Sequence, residues 1–301
     1  MSMGRFLLRR ILQGVFVIWG VVTVVFLLRF VTPGDPITFI APLDAGPQVR
    51  ENIARELGLH KPLYVQYFEY LVGLVQGDMG YSYIQGTAAR SRIFNRLPAT
   101  LELAIAASIV AIVISIPLGV VSATRRHDPA DYAATTFSLV GISTPNFWLG
   151  IMLVLVLAVG LGLFPTSRRA IGFLPGTYFT ALITRLTRSG MLDELGKTYV
   201  RASRAKGLPE TLVRYKHVLR NTLIPVVTVL GLQMGTLIGG AVITEAVFNW
   251  PGLGTLVIEA INDRDWVLIQ GSLVVIGAGF VIVNILVDAT YAYINPQVRA
   301  E

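Results

Sequence analysis

Residues 191–226 read MLDELGKTYVRASRAKGLPETLVRYKHVLRNTLIPV and form a polar stretch, hereafter the basic segment, between two long apolar runs. Its only acidic residues are Asp193, Glu194 and Glu210, and its basic residues include Arg201, Arg204, Lys206, Arg214, Lys216 and Arg220. Such a concentration of charge in an otherwise apolar chain predicts a segment that faces water and meets a polar partner.

The basic segment has the pattern of two helices joined by a turn. Tyr199 to Lys206 suits a first helix, and Gly207 suits a left-handed turn because glycine has no side chain to clash there. Pro209 and Glu210 fit the first turn of a second helix. Helical spacing predicts that one apolar face of this helix carries Leu208, Leu212, Tyr215, Leu219 and Leu223. A pair of amphipathic helices resting on anionic lipid is the alternative interpretation.

The chain as a whole has the composition of a membrane protein. Of 301 residues, 53% are hydrophobic and only 14% are charged, and the mean hydropathy is +0.64. The formal net charge of +7 is explained by Lys and Arg in cytosolic loops, so we expect no nucleic-acid partner. Cysteine is absent and only three histidines occur, so disulfides, a thiolate nucleophile and a metal site are not expected.

Apolar runs predict an all-α polytopic membrane protein with six transmembrane helices and with both termini in the cytosol. The expected spans lie at about residues 11–31, 101–121, 137–164, 170–186, 225–247 and 267–291. The fourth is short for a complete crossing, but the loop at Arg125 and the basic segment are both expected in the cytosol, so an even number of spans must separate them. Residues 32–98 are expected outside the cell and residues 191–224 in the cytosol.

Several residues within or near the spans are candidates for packing or for a solute pathway. Gly231, Gly235 and Gly239 recur every four residues, which favours close helix packing or a backbone surface along the pathway. Gln233 and Asn284 lie near mid-span and suit either role.

Acidic residues near the ends of the spans form a second group. Glu102, Glu245 and Asp288 lie within a turn or two of a span end, where a carboxylate can reach the interface. Glu245, with Phe248 and Trp250 after it, is the candidate outer gate.

No catalytic motif is found. The sequence from Gly190 to Thr198 places five residues between its glycines, whereas a phosphate-binding loop has four and follows a strand. We therefore expect neither catalytic residues nor a bound cofactor in this chain, and any ATP that drives it should bind another subunit.

The basic segment resembles the EAA loop of ABC importer permeases. The resemblance is carried by Arg201, Ala202, Ser203, Arg204, Ala205, Lys206 and Gly207, and it is most specific to the B-type subunit of the dipeptide, oligopeptide and nickel permease family. Further motifs of that family follow in order along nearly the whole chain: PGDP (33–36), LGL (57–59), KPL (61–63), GDMG (77–80), RLPATLE (96–102), STPNFW (143–148), TRS (187–189), FNWPGLG (248–254), VD (287–288) and NPQVR (295–299).

The resemblance implies the architecture of a type I ABC importer permease in the bacterial inner membrane. The basic segment would be a coupling helix that docks on a cytosolic ATPase subunit, through residues 201–207. The implied partners are a second related permease, two ATP-binding subunits that carry ATP and Mg²⁺, an extracytoplasmic solute-binding protein and membrane lipid. Arg201 stands where the motif's glutamate is expected, and the chain is shorter than the family between Phe164 and Arg185.

Short peptides are the expected solute, and nickel, glutathione or another peptide-like solute are the alternatives within the family. A secondary transporter driven by an ion gradient is the alternative from another class. It predicts buried ionisable pairs near mid-membrane or an inverted internal repeat, and the sequence shows neither.

Overall fold

The computed structural model describes residues 3–31, 37, 46–56, 58–163 and 176–294. Its first half contains α1 (Met3–Val31), α2 (Pro47–Glu56), α3 (Leu63–Val75), the hairpin strands β1 (Tyr81–Ser82) and β2 (Thr87–Ala88), α4 (Ala89–Thr124), α5 (Pro129–Ser143) and α6 (Asn146–Leu153), which continues as a π-helix (Val154–Gly160). Its second half contains α7 (Gly176–Leu195), α8 (Thr198–Ala205), α9 (Glu210–Leu212), a π-helix (Val213–Val218), α10 (Leu219–Val247), α11 (Leu253–Asn262) and α12 (Trp266–Ile294). The chain is mostly helical, as expected.

Within the described residues, four helical stretches are long and apolar enough to cross a membrane: Met3–Val31, Ala89–Thr124, Glu210–Gly235 and Trp266–Thr290. The stretch expected as the third span is not one continuous helix, since α5 ends at Ser143 and α6 begins at Asn146. Pro145 lies between them with φ −58° and ψ 135°, an extended conformation that interrupts the helix.

The stretch expected as the fourth span continues beyond its predicted end. Helix α7 runs from Gly176 to Leu195, so the first residues of the basic segment belong to this helix and not to a loop. The predicted start of the span, residues 170–175, lies outside the described residues. Helix α4 likewise begins at Ala89, within the stretch 32–98 that was expected to precede the second span.

Small residues set the closest helix contacts. A Cβ at Gly119 of α4 would lie 2.6 Å from Thr187 Cβ of α7, and one at Gly141 of α5 would lie 2.5 Å from Ala181 Cβ of the same helix. Distances this short show that only glycine fits at these two crossings. The α7 helix is therefore held closely between α4 and α5.

The hairpin, α3 and α11 lie at one end of the bundle. Phe26 near the end of α1 contacts Tyr67 and Tyr70 of α3, with ring centroids 5.2 and 5.6 Å apart. The Ser82 hydroxyl in β1 donates to the buried Asp265 carboxylate before α12. Because α10 leads from the basic segment to α11, the basic segment lies at the opposite end of the molecule.

We predict that replacing Gly119 by valine lowers the free energy of unfolding by about 1–3 kcal/mol, because the added methyl groups overlap with Thr187 in a packed crossing. Gly20→Val in α1 is the matched control, since a Cβ at Gly20 meets nothing within 4 Å. Thermal unfolding of the detergent-purified protein measures both variants. Equal melting temperatures for the two would contradict the close α4–α7 crossing.

Candidate functional site

The turn of the basic segment has the predicted left-handed conformation. Helix α8 ends at Ala205, and Gly207 follows with φ +76° and donates its N–H to the Arg204 carbonyl at 2.9 Å. Pro209 then precedes Glu210, the first residue of α9. A residue with a Cβ is strained at such a φ, so this turn depends on glycine.

A buried apolar cluster seats the helix pair on the bundle. It contains Val200 of α8, Val213 and Val218 of the following π-helix, Met191 of α7, and Val120 and Ala123 of α4. The two π-helical valines are five residues apart, a little more than one turn of a π-helix, so both can point toward the same side. The pair is therefore joined to the ends of α4 and α7 by packing.

The predicted apolar face of the second helix is wrong at one residue. Tyr215 was expected to pack with Leu212 and Leu219, but 58% of its surface is exposed. The π-helix between Val213 and Val218 widens each turn, so the face predicted from a 3.6-residue period rotates away from Tyr215. Val213 and Val218 take its place.

The outer face of the turn is open. Six of the seven residues predicted to contact an ATPase are exposed: Arg201, Ala202, Arg204, Ala205, Lys206 and Gly207. Ser203 is half-buried, and its hydroxyl donates to the Tyr199 carbonyl at 2.8 Å. These residues are thus presented together on one surface, and their contact with an ATPase subunit stays a prediction.

Glu210 closes the turn with two ion pairs that the sequence analysis missed. Arg204 donates Nε and Nη2 to the carboxylate at 3.0 and 2.8 Å, and Arg214 donates Nε at 2.9 Å. These side chains are more than a third exposed, so each pair adds less than about 1 kcal/mol and mainly fixes the angle of the turn. The i,i+4 spacing of Glu210 and Arg214 was a readable signal. Arg201 and Lys206 make no ion pair within the described residues.

A second polar cluster joins the base of the helix pair to α7 and α10. The Tyr199 hydroxyl donates to Glu194 at 2.7 Å and accepts from Asn221 Nδ2 at 3.1 Å, and Lys197 pairs with the same carboxylate. Burial and the nearby carboxylate raise the pKa of Tyr199 above its ordinary value, so the phenol stays protonated as a donor.

Asp131 and Arg188 form a buried anchor that the sequence analysis also missed. Asp131, 3% exposed, accepts from Arg188 Nε at 2.6 Å and Nη2 at 2.9 Å, from Ser122 Oγ at 2.5 Å and from the His127 N–H at 3.0 Å. The Arg188 guanidinium holds the pKa of Asp131 well below its usual range. This carboxylate ties α4, α5 and α7 together beside the basic segment.

At the opposite end, the Glu245 side chain is buried within the protein, although its place near a span end would have allowed it to reach the membrane interface. It is 0% exposed and accepts from Thr100 Oγ1 at 2.6 Å and from the N–H groups of Gly254 at 2.6 Å and Thr255 at 3.1 Å. The last two are free N–H groups at the start of α11, which attract a carboxylate. The carboxylate can be buried because these three groups donate hydrogen bonds to it.

Trp250 completes the same junction. It is 2% exposed and donates Nε1–H to the Ala99 carbonyl of α4 at 2.7 Å. Phe248 is half-buried, and its Cζ would lie 2.5 Å from a Cβ at Gly150 of α6. The three residues predicted as an outer gate therefore join α10 and α11 to α4 and α6. Of the other two acidic residues, Glu102 is exposed and Asp288 pairs with Arg10 at 3.2 Å.

Two of the three predicted glycines of the fifth span contact α12. A Cβ at Gly231 would overlap with Val287, and one at Gly235 would lie 3.3 Å from Asn284 and Phe280. Asn284 Nδ2 donates to the Phe280 carbonyl at 3.0 Å, within its own helix. Gln233 is half-buried. Gly239 lies in α10, but its surroundings fall outside the described residues. Close packing of α10 on α12 accounts for Gly231 and Gly235.

Two family models match the chain. The model for the inner membrane component of binding-protein-dependent transport systems matches residues 115–300, and the model for its N-terminal part matches residues 3–104. The chain belongs to this family. Membership confirms the resemblance to ABC importer permeases that the sequence motifs indicated. In the part of the chain that the structure describes, no group of three or more His, Cys, Asp or Glu residues could hold a metal ion.

Relatives of this permease match it over almost their full lengths. The oligopeptide transport system permease protein AppB of Bacillus subtilis is 38% identical over 315 residues, 99% of this chain and 100% of the relative. The glutathione transport system permease protein GsiC of Escherichia coli is 38% identical over 304 residues, and the dipeptide transport system permease protein DppB of Escherichia coli is 36% identical over 336 residues; each match covers 99% of both chains.

The fold is also found in a solved transporter. A chain of the MetNI methionine ABC transporter, in an inward-facing conformation, superposes with a TM-score of 0.56 at 21% identity. The match covers 65% of this permease and 93% of that chain. A second crystal form gives a TM-score of 0.54 at 20% identity.

We predict that Glu245→Ala lowers the free energy of unfolding by about 3 kcal/mol, because it leaves three buried donors without an acceptor. Glu245→Gln should lose less, since its amide oxygen still accepts. Glu51→Ala is the control, because its carboxylate is exposed and pairs only with Arg55 within the described residues. Thermal unfolding in detergent compares the three variants, and equal loss for Glu245→Ala and Glu51→Ala would contradict this assignment.

Proposed function

We propose that this chain is the transmembrane permease subunit of a binding-protein-dependent ABC importer for dipeptides and oligopeptides. The observation that carries the proposal is the exposed turn at Gly207, seated on the ends of α4 and α7 by a buried apolar cluster. Relatives named as oligopeptide, dipeptide and glutathione permeases support a peptide-like solute. The chain itself catalyses no reaction and binds no cofactor.

The proposed arrangement has six spans in the bacterial inner membrane, with both termini in the cytosol. The third span, at about residues 137–164, comprises the second part of α5 together with α6 and is broken at Pro145. The fourth, at about residues 170–186, includes the first part of α7. The stretch 32–88, with the hairpin, then lies outside, where a solute-binding protein docks. The basic segment lies inside.

One such chain encloses half of a pathway, so a second related permease completes it. Two ATP-binding subunits dock inside and carry ATP and Mg²⁺. Residues 201–207 are the contact with one of them. The exposed Arg201 and Lys206, which make no ion pair within the described residues, suit acidic or carbonyl acceptors in its groove.

The geometry supports transmission of motion by a lever. An ATPase subunit that moves the turn also moves α7 and α10, because the buried valines pack the helix pair against the bundle. Helix α10 has 29 residues and is therefore roughly 44 Å long. It leads from the turn to the Glu245 junction. A displacement of the turn would therefore move both ends of α10 and open the pathway alternately to the two sides of the membrane.

We predict that Gly207→Val uncouples ATP hydrolysis from uptake. Valine is strained at φ +76°, and the turn that presents residues 201–206 would reshape. In vesicles that contain the complete importer, we expect peptide uptake to fall about tenfold or more, whereas the ATPase subunits keep their basal hydrolysis. Gly196→Val is the matched control, since Gly196 lies in the same segment without a positive φ.

Normal peptide uptake by the Gly207→Val variant would contradict the assignment of this turn to coupling.

A separate measurement tests the class of transporter. Uptake that collapses with an uncoupler while ATP remains high would favour a secondary transporter. The solute is tested by competition of labelled dipeptide uptake with unlabelled tripeptides, glutathione and Ni²⁺.

A further inference from the structure

A small cavity lies between α5 and α7, beside the Asp131–Arg188 anchor. Its volume is about 240 Å³, and it is lined by Thr135, Ser138 and Leu139 of α5 and by Thr184, Arg185 and Arg188 of α7. Cavities for whole drug-sized ligands are larger, about 300–1,000 Å³, whereas one water takes about 30 Å³. The cavity is therefore of a size for a headgroup fragment or a small anion.

Hydrogen-bond donors of the cavity are left unused. Thr184 is 1% exposed, and its Oγ1 has no hydrogen-bond partner among the described residues. A buried hydroxyl without a partner is costly, which points to a ligand that accepts from it. Arg185 is exposed and makes no ion pair or hydrogen bond in the described part of the chain. Arg188 uses Nε and Nη2 for Asp131, so Nη1 is available.

The charge of the cavity favours an anion. Asp131 is neutralised by its two bonds from Arg188, so the positive charge of Arg185 remains uncompensated. Guanidinium groups bind phosphate oxygens through two parallel hydrogen bonds, and threonine hydroxyls add a third donor. This donor set fits a phosphate group.

The position of the cavity indicates where that phosphate comes from. On α5 the cavity adjoins exposed apolar side chains, Phe137, Leu139 and Val140, which suit contact with acyl chains. The lining residues Ser138 and Arg185 lie next to the predicted membrane boundaries of the third and fourth spans, at about 137 and 186. A phosphate at this level, with an apolar surface beside it, is the arrangement of a phospholipid headgroup.

We propose that this cavity binds the phosphate of an anionic phospholipid, with Arg185 and Thr184 as donors. The assignment to the cytosolic leaflet rests on the orientation proposed for the permease, and that leaflet commonly carries anionic lipid. The bound lipid holds α5 against α7 at the base of the helix pair, so it supports the same anchor as Asp131.

The test uses the complete importer in vesicles of phosphatidylcholine with or without phosphatidylglycerol, followed by native mass spectrometry of lipid retained after extraction. We expect the unaltered complex to retain phosphatidylglycerol, and Arg185→Gln to retain it about tenfold more weakly, as for loss of one charge-assisted bond. Thr184→Val should also weaken retention. Arg126→Gln is the matched control, because Arg126 is an exposed arginine near the same end but outside the cavity.

A second arm separates lipid from free phosphate. In vesicles of phosphatidylcholine alone, we measure whether inorganic phosphate protects Arg185 from modification by phenylglyoxal. Protection there, together with no selective retention of phosphatidylglycerol from the mixed vesicles, would support the phosphate site and assign it to a soluble ion. The proposal is overturned if Arg126→Gln loses as much phosphatidylglycerol as Arg185→Gln, or if neither probe depends on Arg185.

Peptide-stimulated ATP hydrolysis is measured on the same vesicles. Coupled hydrolysis without any phosphate binding refutes the lipid site alone. Phosphate binding that depends on Arg185 in a complex without peptide-stimulated hydrolysis refutes the proposed coupling to peptide import and leaves the phosphate site intact.

Discussion

The packing of Val200, Val213 and Val218 onto the ends of α4 and α7 is the contact on which the rest of the structure depends. A basic turn on a flexible loop could bind a partner but could not pass on its movement. These valines bury an apolar face that the helix pair cannot bury alone, and they fix the pair to two long helices. Glu210 and Glu194 then set its angle with bonds that add little free energy but define geometry.

The same logic applies at the other end of α10. The Glu245 carboxylate accepts from α4 and from the start of α11, while Trp250 donates to α4, so this end of the helix is also joined to its neighbours. Because α10 is packed against other helices at both ends, its movement also displaces those helices. The hydrogen bonds of Glu245 link three helices, which an apolar side chain of equal size could not do.

Local features of the fold were readable from the sequence, and distant ones were not. The Gly207 turn and helix α8 follow from turn chemistry and short-range periodicity. The π-helix at 213–218 has no comparable signature, so the apolar face was placed wrongly at Tyr215. Pairs such as Asp131–Arg188, 57 residues apart, and Thr100–Glu245, 145 residues apart, depend on how the helices pack, which one sequence does not specify.

Arg201, in place of the glutamate that names the EAA motif, illustrates how a site keeps its shape when a motif residue changes. Three features define this turn: the positive φ of Gly207, the buried valines, and the carboxylate of Glu210 between Arg204 and Arg214. None of them involves position 201, whose side chain is exposed. The scaffold therefore tolerates arginine there, and the change acts only on the outer surface. A partner that docks on this turn must accept a positive charge where the motif offers a negative one, which restricts the choice of ATPase through electrostatic complementarity rather than through the fold.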